Sequence, residues 1–128
     1  MLRWRKHSTG SCGTTSKADV CLVFLKNWHE ELVARRSLNL DWTANDLVEA
    51  IASNCNNTIV ITHSGGVNVL PWANHPNVTT VLATDYPGEQ SGNAITDILY
   101  RKVNPSAKLP YTIAYKGERL CGVANNLR

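Results

Sequence analysis

The 128-residue chain has room for one modest domain rather than two. At 43% hydrophobic and 18% charged, with 8 Gly and 5 Pro, its composition is globular. That excludes disorder, a collagen-like repeat and a long coiled coil. The net charge of +3 is unevenly spread. Residues 1–16 and 115–128 hold six basic side chains against Glu118, or +5, while residues 17–114 hold seven basic against nine acidic, or −2.

In chain order, residues 1–16 are rich in Ser, Thr and Gly and read as an unstructured basic arm. The arm has the positive charge of an export signal but no apolar core, so no recognisable signal peptide is expected. Ala18–Leu25 is a β-branched and aromatic run, predicted as a strand covered on both faces. The longest apolar stretch, Val20–Leu25, is too short to cross a membrane.

Asp41–Asn54 carries Ala44, Leu47, Val48, Ile51 and Cys55 at helical spacing, with Thr43 and Asp46 placed as a capping box. Thr58–Thr62 predicts a second strand and Val78–Leu82 a third. Between them, Gly66–Trp72 has room only for a short helix before the Asn74-His75-Pro76 turn. Glu89–Tyr100 predicts a helix turning Ala94, Ile95, Ile98 and Leu99 inward, and Leu109–Ile113 a fourth strand entered through Pro105 and Pro110.

Alternating strands and helices imply an α/β fold. The expected architecture is an open, mostly parallel sheet with helices on both faces, an incomplete three-layer sandwich. Ligands of such sheets bind at the carboxyl ends of the strands. That rule singles out three loops: Lys26–Leu40, His63–Gly66 and Thr84–Gln90.

The residues in those loops exclude several chemistries. His63-Ser64-Gly65-Gly66 lacks the spacing of a phosphate-binding loop, and Thr62 stands where a nucleophile elbow needs glycine, so a glycine-permitted tight turn is expected. His29-Glu30-Glu31-Leu32-Val33 opens like a zincin helix but has Val33 in place of the second His. Cys12, Cys21, Cys55 and Cys121 form no CxxC, and the four His are scattered, so neither a metal nor a cofactor is expected. The cysteines read as small buried hydrophobes, and their pairing is left open. Basic pairs at Arg35-Arg36 and Arg101-Lys102 are too few for a nucleic-acid face.

Glu30 and Glu31 stand out, following the first strand in a loop that also holds Trp28 and Arg35. A carboxylic acid beside an aromatic ring at a cleft suits a proton donor. The same residues also fit two solvated glutamates pairing with Arg35 and Arg36. Glu89 fits a helix-terminus carboxylate, and Asp97 a solvated helix position. Asn56-Asn57-Thr58 and Asn77-Val78-Thr79 are glycosylation sequons, informative only in a secreted chain.

Five blocks carry a resemblance. They are Lys17–Leu25, Asn54–Val60, Pro71–Val78, Tyr86–Ala94 and Val103–Thr112. Together, over about residues 17–114, they resemble the C-terminal α/β sandwich of fungal β-glucosidases of glycoside hydrolase family 3, in the family's order and close to its spacing. The ends, 1–16 and 115–128, are expected to lie outside the family pattern. In that family a barrel domain supplies an aspartate nucleophile and a sandwich loop supplies a glutamate acid/base. Counting from Val23-Phe24, the resemblance puts the acid/base on Glu31.

The chain departs from the family beside that position. Leu32, Val33 and Ala34 replace a glycine, an often aromatic residue and the Asp of an Asp-Arg pair, of which Arg35 survives. Arg101 and Ala107 likewise stand where glycine is usual. The resemblance implies the acid/base-carrying domain of a retaining enzyme that releases terminal β-D-glucose from cellobiose, oligosaccharides or aryl glucosides. With no barrel nucleophile, the chain is expected to be incomplete and inactive alone, meeting a β-glucoside only when complemented by a barrel domain.

The family is secreted, and neither nucleic acid nor membrane is an expected partner; the oligomeric state is left open. The alternative is a non-catalytic relic or interaction module of the same fold. A nucleotide-binding module would rest on fold analogy alone.

Overall fold

The computed structural model describes residues 18–28, 30, 32, 35 and 37–116. Three strands, β1 (Cys21–Lys26), β2 (Thr58–His63) and β3 (Val78–Thr84), form a parallel sheet in the order β1-β2-β3. Helix α1 (Ala44–Ala52) connects the first two strands, and α2 (Ser91–Leu99) follows the third. A 3₁₀ helix, Pro71–Asn74, lies between β2 and β3. This is the expected open α/β architecture.

Register decides which side chains share a face. Val23 lies opposite Val60, which lies opposite Val81, so alternation divides each strand between two faces. On one face, Val23, Leu25 and Val60 bury against Ala44 and Val48 of α1, with Leu40, Leu70 and Trp72 completing the core. Trp72 is 2% exposed, and its indole N–H donates to Asn45 Oδ1 of α1 at 3.0 Å. That bond satisfies the polar end of the ring while its body supplies apolar burial.

The opposite face is covered unevenly. Ile59, Thr80 and Leu82 line a cavity of about 530 Å³ together with Ile98 and Leu99 of α2. Helix α2 therefore sits across from α1, over the β2–β3 side. Phe24, on the same face of β1, remains 40% exposed, so the described residues cover the second face of β1 less fully than its sequence predicts.

Several local expectations change. Leu109–Ile113 forms no strand: Ile113 packs against the core, and the residue after it makes only the isolated parallel bridge Val69–Ala114, with Leu70 N–H donating to Ala114 O at 3.0 Å. Pro105 and Pro110 lack the N–H that a ladder requires. The capping box is not made, since Thr43 has no side-chain capping bond and Trp42 enters α1 with φ 54°. Helix α2 begins at Ser91 instead of Glu89, because a turn in which Ser91 N–H donates to Gly88 O (3.1 Å) precedes it. Ala94 faces solvent and Ile95 is the buried residue of that helix.

The cysteines also differ from expectation. Cys21, opening β1, and Cys55, in the turn before β2, form a disulfide across a sequence separation of 34. Neither is a free buried hydrophobe. Closing a loop of that length stabilises by about 4 kcal/mol in the chain-entropy account. The bond joins the start of β1 to the α1–β2 turn, where Cys21 N–H already donates to Asn57 O at 2.9 Å.

Candidate functional site at the carboxyl edge of the sheet

Because the strands are parallel and in register, Lys26, His63 and Thr84 end together at one edge. The loops that leave this edge are the three singled out from the sequence. Asn27 N–H donates to His63 O at 3.0 Å, extending the β1–β2 ladder by one residue. Trp28 N–H then donates to Asp41 Oδ2, and Asp41 N–H to Lys26 O at 3.4 Å. These bonds pin the departure and return of the loop that contains Glu30 and Glu31. Lys26 Nζ lies 5.0 Å from the ring centre of Trp42, adding a cation–π contact at the same base.

Arg35 anchors the loop's far side. Its guanidinium donates to Val67 O at 2.8 Å and to Asn68 Oδ1 at 2.9 Å, with a longer contact to Asn39 O at 3.5 Å. Asn68 in turn donates through Nδ2 to Ser64 Oγ at 2.6 Å and to Gly66 O at 3.0 Å, and the Ser64 hydroxyl donates to Gly66 O at 3.1 Å. Ser64 and Asn68 are buried, so these bonds replace water that burial removes. Val69 N–H donates to Leu38 O at 2.9 Å, a second tie between the two loops.

The His63–Gly66 turn is held by these internal bonds, and no described glycine has positive φ. It is a turn, as expected, but its handedness does not require glycine.

Glu31, the residue that the resemblance selects, lies outside the described residues, as do His29, Val33, Ala34 and Arg36. Its neighbours are described. Glu30 is exposed, and Leu32 is fully exposed with φ 65°, in the left-handed region that favours glycine. Arg35 is committed to Val67 and Asn68, and Lys102–Asp97 is the one ion pair among the described residues. A Glu30–Arg35 ion pair is therefore not formed. Trp28, Trp42 and Tyr86 are exposed at 68%, 85% and 74%, so the edge presents aromatic rings as well as carboxylates.

The third loop contributes Asp85, directly after β3. Tyr111 donates its phenolic hydrogen to Asp85 Oδ1. Burial pushes the Tyr111 hydroxyl up to about 12, and the Asp85 hydrogen bond and negative charge add to the rise. This pair ties the 105–113 segment to the carboxyl edge. No local pattern pairs these two residues, because 26 positions separate them. Glu89 lies outside α2 in the preceding turn, and Asp97 pairs with Lys102 Nζ at 3.0 Å. Among the described residues, no group of three or more His, Cys, Asp or Glu is placed to hold a metal, and no helix is long and apolar enough to cross a membrane.

Residues 7–127 match the glycosyl hydrolase family 3 C-terminal domain. The chain belongs to that family. It is 63% identical over 99 residues to the "Probable beta-glucosidase G" of Aspergillus flavus, covering 77% of this chain and 12% of that protein.

Solved structures agree in fold. A glycoside hydrolase family 3 beta-glucosidase of Neurospora crassa superposes with a TM-score of 0.68 at 38% identity, over 74% of this chain and 12% of its own. The beta-D-glucoside glucohydrolase of Trichoderma reesei gives 0.71 at 35% identity, over 78% of this chain and 15% of its own. The family 3 chain described here therefore spans about an eighth of the length of these relatives.

Proposed function

We propose that this family 3 chain is the acid/base-carrying domain of a retaining β-glucosidase, with Glu31 as the acid/base. The observation that supports this reading most is the pinned loop. It leaves β1 at the carboxyl edge, is clamped by Trp28–Asp41 at its base and by Arg35–Asn68 at its far side. These ties hold both ends of the segment that carries Glu31 at the carboxyl edge of the sheet, where ligands of such folds bind.

In this account Glu31 protonates the glycosidic oxygen as the bond to the anomeric carbon breaks. It then takes a proton from the water that releases the sugar. Retention requires a second carboxylate on the opposite side of the sugar, about 5–5.5 Å away, as nucleophile. A barrel domain would provide it. The substrates would be β-glucosides with a terminal glucose: cellobiose, short oligosaccharides and aryl glucosides.

The isolated chain would then lack the step that forms the covalent intermediate. Incubating the purified chain with an aryl β-glucoside should release no phenol above the rate of a Glu31→Gln control. Turnover that the control loses would refute inactivity alone. A second reading, a non-catalytic relic of the same fold, draws on one observation. Leu32 occupies a φ of 65° where the family has glycine, so the residue after Glu31 is strained.

A further inference from the structure

Trp28 and Trp42 are exposed at 68% and 85%, whereas Trp72, at 2%, shows where this fold puts an indole that serves packing. One hydrogen bond brings the two exposed residues to the same place. Trp28 N–H donates to Asp41 Oδ2, and Asp41 directly precedes Trp42. Both tryptophans therefore stand at the base of the loop that carries Glu31.

Trp42 is also strained. Its φ is 54°, in the left-handed region that a bulky residue rarely adopts. So exposed a side chain buries too little surface to offset that strain, and glycine would fit the same backbone without it. Strained backbone that local packing does not repay is characteristic of binding and catalytic positions. The ring is oriented as well. Lys26 Nζ lies 5.0 Å from its centre, over one face of the indole, and the 85% exposure leaves the opposite face to solvent.

A flat aromatic face beside charged groups suits a sugar. A pyranose presents C–H groups on its faces, which stack on an indole, and hydroxyls around its rim, which pair with groups such as Lys26 Nζ. A protein partner would call for a contiguous apolar patch, but the side chains tied to these two residues are Lys26 and Asp41. Trp28 is three residues from Glu31, so their Cα atoms lie within about 11 Å of each other.

We propose that Trp28 and Trp42 form a stacking platform for a β-linked glucose oligosaccharide. The choice of sugar rests on the acid/base reading above. An enzyme that releases a terminal glucose meets every further sugar on the leaving-group side of the bond that Glu31 protonates. Trp28 takes the sugar nearer Glu31, and Trp42 with Lys26 takes the next. Oligosaccharides longer than cellobiose are then the better ligands.

The test titrates the full chain with cellotetraose and follows the indole N–H resonances, assigned by single replacement of Trp4, Trp28 and Trp42. The Trp28 and Trp42 signals should shift and saturate while that of Trp72 stays in place. Trp28→Ala and Trp42→Ala should each weaken binding by about tenfold, and Trp42→Phe should retain it. Trp42→Gly separates binding from structure: the midpoint of thermal unfolding should rise while sugar binding is lost. Glu31→Gln should bind as the unaltered chain does, so this result is read apart from that of the acid/base test. No saturable shift at Trp28 and Trp42, or equal binding by the alanine variants, would overturn the proposal. So would a Trp42→Gly chain that is less stable and still binds.

Discussion

Arg35 and Asn68 meet through a hydrogen bond of 2.9 Å, and that contact joins the loop after β1 to the loop after β2. Asn68 is buried and passes the connection on to Ser64. The two residues are 33 positions apart, so no local pattern could announce the pair. Removing either partner leaves a buried polar group unsatisfied. Hydrogen bonds to charged groups contribute about 1.5–3 kcal/mol. Asn68→Ala should therefore lower unfolding stability by about 2–3 kcal/mol in a urea titration, and Arg35→Ala should add little on top of it. Fully additive losses would show that the two residues are not coupled.

Two departures from the family now have a backbone consequence. Leu32 and Arg101 stand where family glycines are usual, and both have positive φ, 65° and 58°. Arg101 directly follows the C-cap of α2, a position where a left-handed residue commonly ends a helix. Left-handed backbone costs a non-glycine residue about 1–2 kcal/mol, partly offset by the greater unfolded freedom of glycine. Arg101→Gly should raise the midpoint of thermal unfolding, by a free energy of about 0.5–1 kcal/mol. An unchanged or lower midpoint would mean the arginine side chain compensates the strain.

Tyr111 and Asp85 give a pH signature. The Tyr111 hydroxyl titrates at about 12, mainly because of burial and then Asp85, against 10.0 for the ordinary group. A group whose proton is held more tightly when folded stabilises below its unfolded value and loses that contribution as pH rises. Stability should therefore fall between pH 10 and 12. Tyr111→Phe should remove that part of the pH dependence. Denaturant midpoints measured across the interval check it, and identical profiles for the two proteins would contradict it.

The disulfide is testable without mutagenesis. Reducing Cys21–Cys55 should destabilise the chain by about 2–4 kcal/mol, and Cys55→Ala should leave reductant with little further effect on the described fold. Thiol counting of the native chain before and after unfolding reads the bond directly.

The legible part of this fold is the part governed by local hydrophobic pattern. Val20–Leu25, Thr58–Thr62 and Val78–Leu82 are continuous apolar or β-branched runs, and each becomes a strand of the parallel sheet. The periodic positions Ala44 and Val48 of α1 meet Val23 and Val60 as expected. What pattern could not show depends on distant partners. The fourth strand fails because Pro110 interrupts the N–H row that Leu109–Ile113 would need. Cys21 and Cys55 form no motif, since the pairing of β1 with β2 and the turn that precedes β2 bring them together. At the site, the loop bearing Glu30 and Glu31 was legible from its place after β1. Its anchors, Asp41 and Asn68, carry ordinary polar side chains that only the fold puts to use.

The central claim is that Glu31 serves as a proton donor. It is tested by grafting residues 17–114 of this chain into the Neurospora crassa β-glucosidase in place of the matching segment, and comparing Glu31 with Glu31→Gln in that chimera. Hydrolysis of cellobiose, whose leaving sugar needs protonation, should fall by about 10²–10⁴-fold. Hydrolysis of a dinitrophenyl glucoside should be limited by release of the sugar from the enzyme and should recover when azide is added as nucleophile. Retained cellobiose turnover in Glu31→Gln, with the parent chimera active, would contradict the claim.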